Sequence, residues 1–211
     1  ADRWVLTSAH CVLAEPGTTA KAAPLEAIVV GYGSTDRTKL SKVESQEIVL
    51  HPAFRDQGEK SHADLALIRL ALPVAGIEPV QLADPGRDKK LVTPGAKVTV
   101  IGWGALWDPS DHGIMEMLAQ LTAGADLDER LNHPLKLHQV EIQVLDNDSC
   151  ARVLETSNVE VTNSEICAMA PSSRKNSCYG DSGGPLLVDT GDKEFVQIGV
   201  VSRGCGAKDL P

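Results

Sequence analysis

The sequence predicts an all-β protein built in two halves, and three observations predict it. First, short apolar or alternating runs recur at residues 4–7, 28–32, 43–50, 64–70, 97–102, 140–144, 165–169, 185–188 and 195–202. Runs of this length and period suit strands rather than helices. Second, turn-forming clusters separate them, such as Pro16, Gly17 and Pro24, then residues 33–41, then His51-Pro52. Proline and glycine interrupt both helix and ladder. Third, residues 73–94 carry Pro73, Pro79, Pro85 and Pro94 and read as a crossing between two sets of strands. With 211 residues, 42% of them hydrophobic, the chain has enough material for one large domain or two small ones.

Four strands precede the crossing. Residues 4–7 form the first, and residues 9–11 the turn after it. Residues 28–32 make a short buried strand, and residues 43–50 a strand with a polar centre at 44–47. Asp64 opens the nearly continuous apolar strand 64–70, after a charged loop at 55–62. Past the crossing, Val98 and Val100 alternate with Thr99 and Ile101, and Val140, Ile142 and Val144 alternate with Glu141 and Gln143. Between these strands lies a long excursion, 105–134, in which Ile114, Met117, Leu118 and Leu121 have helical spacing; it reads as a surface excursion. One short helix is expected at 146–154, with Asp146 or Asn147 as its N-cap.

Net charge is −9 and the sequence pI is about 5.1, which argues against nucleic acid or an anionic membrane as partner. No apolar run is long enough to span a bilayer. The 5 cysteines are Cys11, Cys150, Cys167, Cys178 and Cys205. No close pair suggests zinc ligation, and no histidine clusters with them. By composition alone they read equally as buried thiols of a cytosolic protein or as disulfides.

The chemistry centres on residues 178–185, Cys-Tyr-Gly-Asp-Ser-Gly-Gly-Pro. A serine among glycines reads as a tight loop presenting one hydroxyl. A serine hydroxyl is a weak nucleophile, so it needs a base for its proton and donors for the oxyanion that its attack creates. Upstream, residues 4–11 form an apolar run ending in His10 and Cys11, and Asp64 heads its own apolar run. Alone, His10 would read equally well as a buried structural histidine, Asp64 as a surface acid at a strand end, and Asp181 as a turn-stabilising acid.

Histidine, aspartate and serine in that order, each in its own local context, resemble the chymotrypsin/trypsin-like serine proteases. Gly102-Trp103-Gly104, and Val201-Ser202 with Gly204 and Cys205, extend the resemblance over nearly the whole chain. It implies two six-stranded antiparallel Greek-key barrels, residues 1–94 with His10 and Asp64, and residues 95–211 with Ser182 and the specificity pocket. It also implies a first barrel lacking strands before residue 1 and a C-terminal helix lying beyond Pro211. The chain as it stands is then expected to be inactive, with Ala1 held by the strand 4–7.

By the same resemblance, His10 is the general base, Asp64 orients it and Ser182 is the nucleophile. The backbone N–H groups of Gly180 and Ser182 form the oxyanion hole. Asp181 binds the ammonium released by zymogen cleavage. Asn176 and Ser177 lie at the base of the primary pocket, and Ser202, Arg203 and Gly204 on the edge that pairs with substrate backbone. Asn176 stands where trypsin-like members carry Asp, and Arg203 where an aromatic residue often follows the serine; an inward-pointing Arg203 would repel basic side chains. Cys150–Cys167 and Cys178–Cys205 are implied disulfides, and Cys11 is left with a partner expected upstream. No cofactor or metal is expected, because Tyr32 follows Gly31 where the calcium loop of some members has an acid. The implied partners are a polypeptide substrate and a protein protease inhibitor, and the implied setting is secreted or periplasmic.

The sequence leaves two rival functions open. One is a catalytically silent homologue acting as a binding protein, although such a homologue usually loses a triad residue. The other is a doubly wound α/β esterase, in which the serine would precede the acid and the histidine.

Overall fold

Residues 4–7, Trp-Val-Leu-Thr, combine β-branched and large apolar side chains and form strand β1, Trp4–Thr7, as the sequence predicts. The computed structural model describes residues 2–14, 21–55, 62–106, 133–154, 161–162, 164–170, 176–191 and 194–204. The predicted excursion 105–134 and the helical spacing within it therefore lie mostly outside the described residues, as does Cys205.

Three further strands join β1 in one antiparallel sheet: β2 (Val29–Tyr32), β3 (Ser41–Leu50) and β4 (Ala66–Leu70), in the order β1-β4-β3-β2. β1 pairs with β4 from Trp4↔Arg69 to Thr7↔Ala66. The polar centre expected in β3 coincides with a register shift between Ser45 and Glu47. Ser45 is buried there, and its hydroxyl donates to the Leu25 carbonyl at 2.9 Å, so the polar side chain is satisfied. The apolar face of the sheet closes over Val12, Val43, Phe54, Ala66, Ile68 and Leu70.

The second sheet has six strands in the order β5-β10-β9-β6-β7-β8. They are β5 (Gln81–Leu82), β6 (Lys97–Gly102), β7 (His138–Leu145), β8 (Cys167–Met169), β9 (Pro185–Asp189) and β10 (Phe195–Val200). β5 comes from within the proline-rich crossing and pairs parallel with β10; the sequence reading has no strand there. Helix α1, Asn147–Leu154, follows β7. Asp146 caps it, accepting from the Ser149 amide at 2.7 Å. A disulfide joins α1 to β8 through Cys150 and Cys167. The core of this half is Val98, Val100, Ile142, Val144, Leu186 and Val188 with their neighbours.

The halves are clasped through residues 35–37 and 135–137. Arg37 N donates to Leu135 O at 2.9 Å, Leu137 N donates to Thr35 O at 2.7 Å, and Lys136 Nζ pairs with Asp36 Oδ2 at 3.0 Å.

Candidate active site

β1 delivers the chain into a 3₁₀ turn, His10–Val12. Ser8 and Ala9 just before it are fully buried, which fixes where the turn leaves the sheet. Asp64 stands two residues before β4, not at its head as the sequence reading has it. The reason is Ala63, whose φ of 50° is the only left-handed value at a non-glycine among the described residues. A chain in that conformation turns rather than extends, so the ladder begins at Ala66. The pairing of β4 with β1 then sets the Asp64 carboxylate beneath His10.

The contact between them is double. His10 Nδ1 lies 2.7 Å from Asp64 Oδ2, and the His10 backbone N donates to Oδ1 at 2.9 Å. Ser202 Oγ donates to the same Oδ2 at 2.5 Å. The Asp64 side chain is 5% exposed and that of His10 34%. Burial pushes the Asp64 carboxyl up, but the bonds from the His10 ring, Ser202 and the His10 amide outweigh it and hold the group below the ordinary carboxylate range. His10 is raised to about 10, first by its bond to Asp64 and then by a contact with Cys11.

That second contact is one the sequence reading lacks. Cys11 Sγ lies 3.5 Å from His10 Nε2 and accepts from Ser8 Oγ at 3.0 Å. Burial raises the Cys11 thiol, and the bonds from His10 and Ser8 more than reverse this, so it sits below its ordinary value. Cys11 is a free, exposed thiol. No hydrogen bond joins Ser182 to His10 among the described residues, so the structure brings His10 and Asp64 together and leaves the serine hydroxyl unbonded.

The serine loop nevertheless abuts the histidine turn. Gly183 has φ +81°, and a Cβ added there would collide with Thr7 Oγ1 and approach Ser8 at 3.4 Å. Gly183 N donates to Val201 O at 2.8 Å, Gly184 N to Asp181 O at 2.9 Å, and Asp181 N to Cys178 O at 3.0 Å. The N–H groups of Gly180 and Ser182, between these bonded neighbours, have no acceptor among the described residues. Gly180 reaches this arrangement with φ +92°, which a side chain would strain.

Asp181 explains why residues 102–104 read Gly-Trp-Gly. Its carboxylate accepts from Gly104 N and from Cys178 N, each at 2.9 Å. A Cβ on Gly102 or on Gly104 would run into that carboxylate. No cationic group pairs with Asp181 among the described residues.

Of the predicted pocket residues, Asn176 turns its Oδ1 onto the amide of Ser177 at 2.9 Å. Ser177 is buried and packs so closely on Gly204 that a Cβ there would lie 2.5 Å from Ser177 O and Oγ. Arg203 pairs with Glu165. The repulsion expected of an inward, unpaired Arg203 therefore does not arise. Cys178 is disulfide-bonded, and its expected partner Cys205 lies outside the described residues.

A family model described as trypsin matches residues 1–121 and 119–211. The chain belongs to the trypsin family. Its all-β, two-sheet architecture is that of the family's two-barrel fold. Phenoloxidase-activating factor 1 of Holotrichia diomphalia is 28% identical over 228 residues, covering 100% of this chain and 55% of that protein. Transmembrane protease serine 11G of Rattus norvegicus is 28% identical over 100% of this chain and 43% of its own length. Serine protease 28 of Mus musculus is 29% identical over 96% of this chain and 65% of its own length. The chain thus spans between 43% and 65% of these three relatives.

Proposed function

We propose that this chain is the protease part of a serine endopeptidase that cleaves peptide bonds through an acyl-enzyme. Ser182 Oγ attacks the scissile carbonyl carbon while His10 Nε2 takes its proton. The tetrahedral oxyanion is held by the N–H groups of Gly180 and Ser182. His10 then gives the proton to the leaving amine, and water, activated by the same imidazole, releases the acid product. Asp64 fixes the tautomer of His10 and stabilises its imidazolium.

The observation that carries this reading is the double contact of His10 with the buried Asp64 carboxylate. It uses one oxygen for the backbone and one for the ring, so the imidazole has one orientation. The unengaged N–H groups at Gly180 and Ser182 support it. Within the same proposal, residues 1–94 carry the base and residues 95–211 the nucleophile, with β5 of the crossing serving the second sheet. Asp181 receives a new terminal ammonium on zymogen cleavage, while Asn176, Ser177, Ser202, Arg203 and Gly204 line the substrate path. The disulfide Cys150–Cys167 favours an oxidising, extracytoplasmic setting, with polypeptides as substrates and a protein inhibitor as a further partner.

A second reading, the catalytically silent homologue, has one observation in its favour: His10 Nε2 faces Cys11 rather than Ser182. A fluorophosphonate probe separates the two. The active complete protein is labelled at Ser182, and Ser182→Ala loses both the label and at least ~10⁴-fold in turnover. A correctly disulfide-bonded protein that stays unlabelled after activation cleavage would establish the silent reading.

A further inference from the structure

Ser202 and Arg203 are neighbours in the chain, and each holds a carboxylate. Ser202 Oγ donates to Asp64, and the Arg203 guanidinium is paired with Glu165. The two carboxylates belong to different sheets: Asp64 precedes β4 of the first, and Glu165 precedes β8 at the edge of the second. The segment between them prolongs β10, for Val201 N donates to Gly184 O and Val201 O accepts from Gly183 N, both at 2.8 Å. In extended backbone, successive side chains leave on opposite sides. A grip on Arg203 therefore resists the rotation that would lift Ser202 off Asp64.

Glu165 is itself immobilised. Its Oε2 accepts from Thr162 N at 2.7 Å and from Thr162 Oγ1 at 2.9 Å, leaving Oε1 for Arg203. The paired side chains are 30% and 20% exposed, so water screens them less than it would a surface pair.

We propose that Arg203 and Glu165 are positioning residues, whose ion pair holds the Ser202 hydroxyl on Asp64 and so sets the orientation and basicity of His10. This rests on the triad reading above. It gives Arg203 a role directed away from the substrate, although its backbone lies on the edge expected to meet one. The Ser202 hydroxyl shares Asp64 Oδ2 with His10 Nδ1 and disperses part of its charge. Without that donor the carboxylate attracts the imidazolium more strongly, and His10 titrates higher. The imidazolium then returns its proton less readily, and the ring is less firmly aimed. Both effects slow the chemical step for every substrate alike. Among the described residues, the other groups bonded to the His10 side chain are Cys11, and Ser8 through Cys11.

The test uses Arg203→Met, Glu165→Gln and Arg203→Lys in the complete protein, with thermal midpoints measured to establish folding. The midpoint of His10 is followed by NMR of its imidazole nitrogens, and kcat and KM are measured on several peptide substrates. The proposal expects Arg203→Met and Glu165→Gln to raise the His10 midpoint by ~0.5 unit or more. It also expects kcat to fall about 10-fold, with KM nearly unchanged and the ranking of substrates preserved. Arg203→Lys, which keeps the charge, stays near the parent. An unmoved His10 midpoint in folded Arg203→Met and Glu165→Gln overturns the proposal. So does a loss confined to KM or differing between substrates, which would place Arg203 on the substrate itself. A parent protein that takes no fluorophosphonate at Ser182 after activation cleavage defeats the triad reading, yet the His10 midpoint still decides whether the ion pair acts on the histidine.

Discussion

Cys11 Sγ lies 3.5 Å from Nε2 of His10, the nitrogen that a serine nucleophile must use. The contact acts on the imidazole electrostatically. Asp64 raises His10 most and Cys11 next, and together they lift it to about 10, against an ordinary value of 6.5. The higher the midpoint, the smaller the share of neutral imidazole that can accept the serine proton. Cys11→Ala therefore lowers the His10 midpoint, while Asp64 keeps it above 6.5. Capturing Cys11 in a disulfide does the same, because a disulfide sulfur carries neither the proton nor the charge. NMR titration of the imidazole checks this, and an unchanged midpoint in Cys11→Ala would remove the thiol from the account.

The same pair of residues gives stability a defined pH window. His10 is raised on folding, so its contribution is complete below 6.5 and disappears as pH climbs through about 10. Asp64 is lowered on folding, so its contribution is complete above its ordinary value of 3.8 and disappears as pH falls through its depressed value. The joint contribution is full between 3.8 and 6.5. Asp64→Asn should destabilise the protein most inside that window and least at alkaline pH. Denaturant unfolding at a series of pH values measures it, and a difference from the parent that is flat between pH ~5 and ~10 would contradict the coupling.

Much of this site is legible in the sequence, for reasons that differ from residue to residue. β1 and β6 fall where their apolar patterns put them, because each has one face against a core. β5 escapes notice because Gln81 and Leu82 are both exposed, and with no buried face there is no alternation to read. Asp64 looks like the head of a strand because apolar residues follow it; the turn that detaches it is an alanine in a left-handed conformation, a residue with no such signature. Gly102 and Gly104 are visible as a motif, but their cause, the Asp181 carboxylate, lies 77 residues from Gly104. The Arg203–Glu165 and Cys11–His10 contacts depend on side-chain placement alone, which no local pattern encodes.

Gly104 offers a steric test of that cause. A Cβ there would meet the Asp181 carboxyl carbon and Oδ1 at 2.5 Å, so Gly104→Ala must displace the carboxylate that also caps the Cys178 amide. Overpacking of this kind costs about 1–3 kcal/mol. Because Asp181 adjoins Ser182, fluorophosphonate labelling should also slow by ~10-fold or more. Gly95→Ala is the control: its φ is +84° with nothing within 4 Å, so it isolates backbone strain far from the loop. Equal labelling rates in the two variants would detach the Gly-Trp-Gly motif from the serine loop.

The last prediction concerns the side chain the primary pocket prefers. Proposed at the base of that pocket, Asn176 has no charge, and its Oδ1 already accepts from the Ser177 amide. Its remaining amide hydrogens are donors, which an ammonium or guanidinium cannot use. Asp181 accepts from the Gly104 and Cys178 amides, and Glu165 is committed to Arg203 and Thr162. A basic side chain entering such a pocket would be desolvated without an anionic partner, and that is costly. With Arg203 neutralised by Glu165, the discrimination comes from the uncharged Asn176 rather than from repulsion. The protein should therefore favour neutral side chains over Arg and Lys. Asn176→Asp should reverse the preference by about 2–5 kcal/mol, a gain of roughly 30-fold or more for basic residues. A peptide library profiled with the complete protein and with that variant measures both statements. Cleavage by the parent confined to bonds after Arg and Lys, unchanged in Asn176→Asp, would show that Asn176 does not set the primary preference.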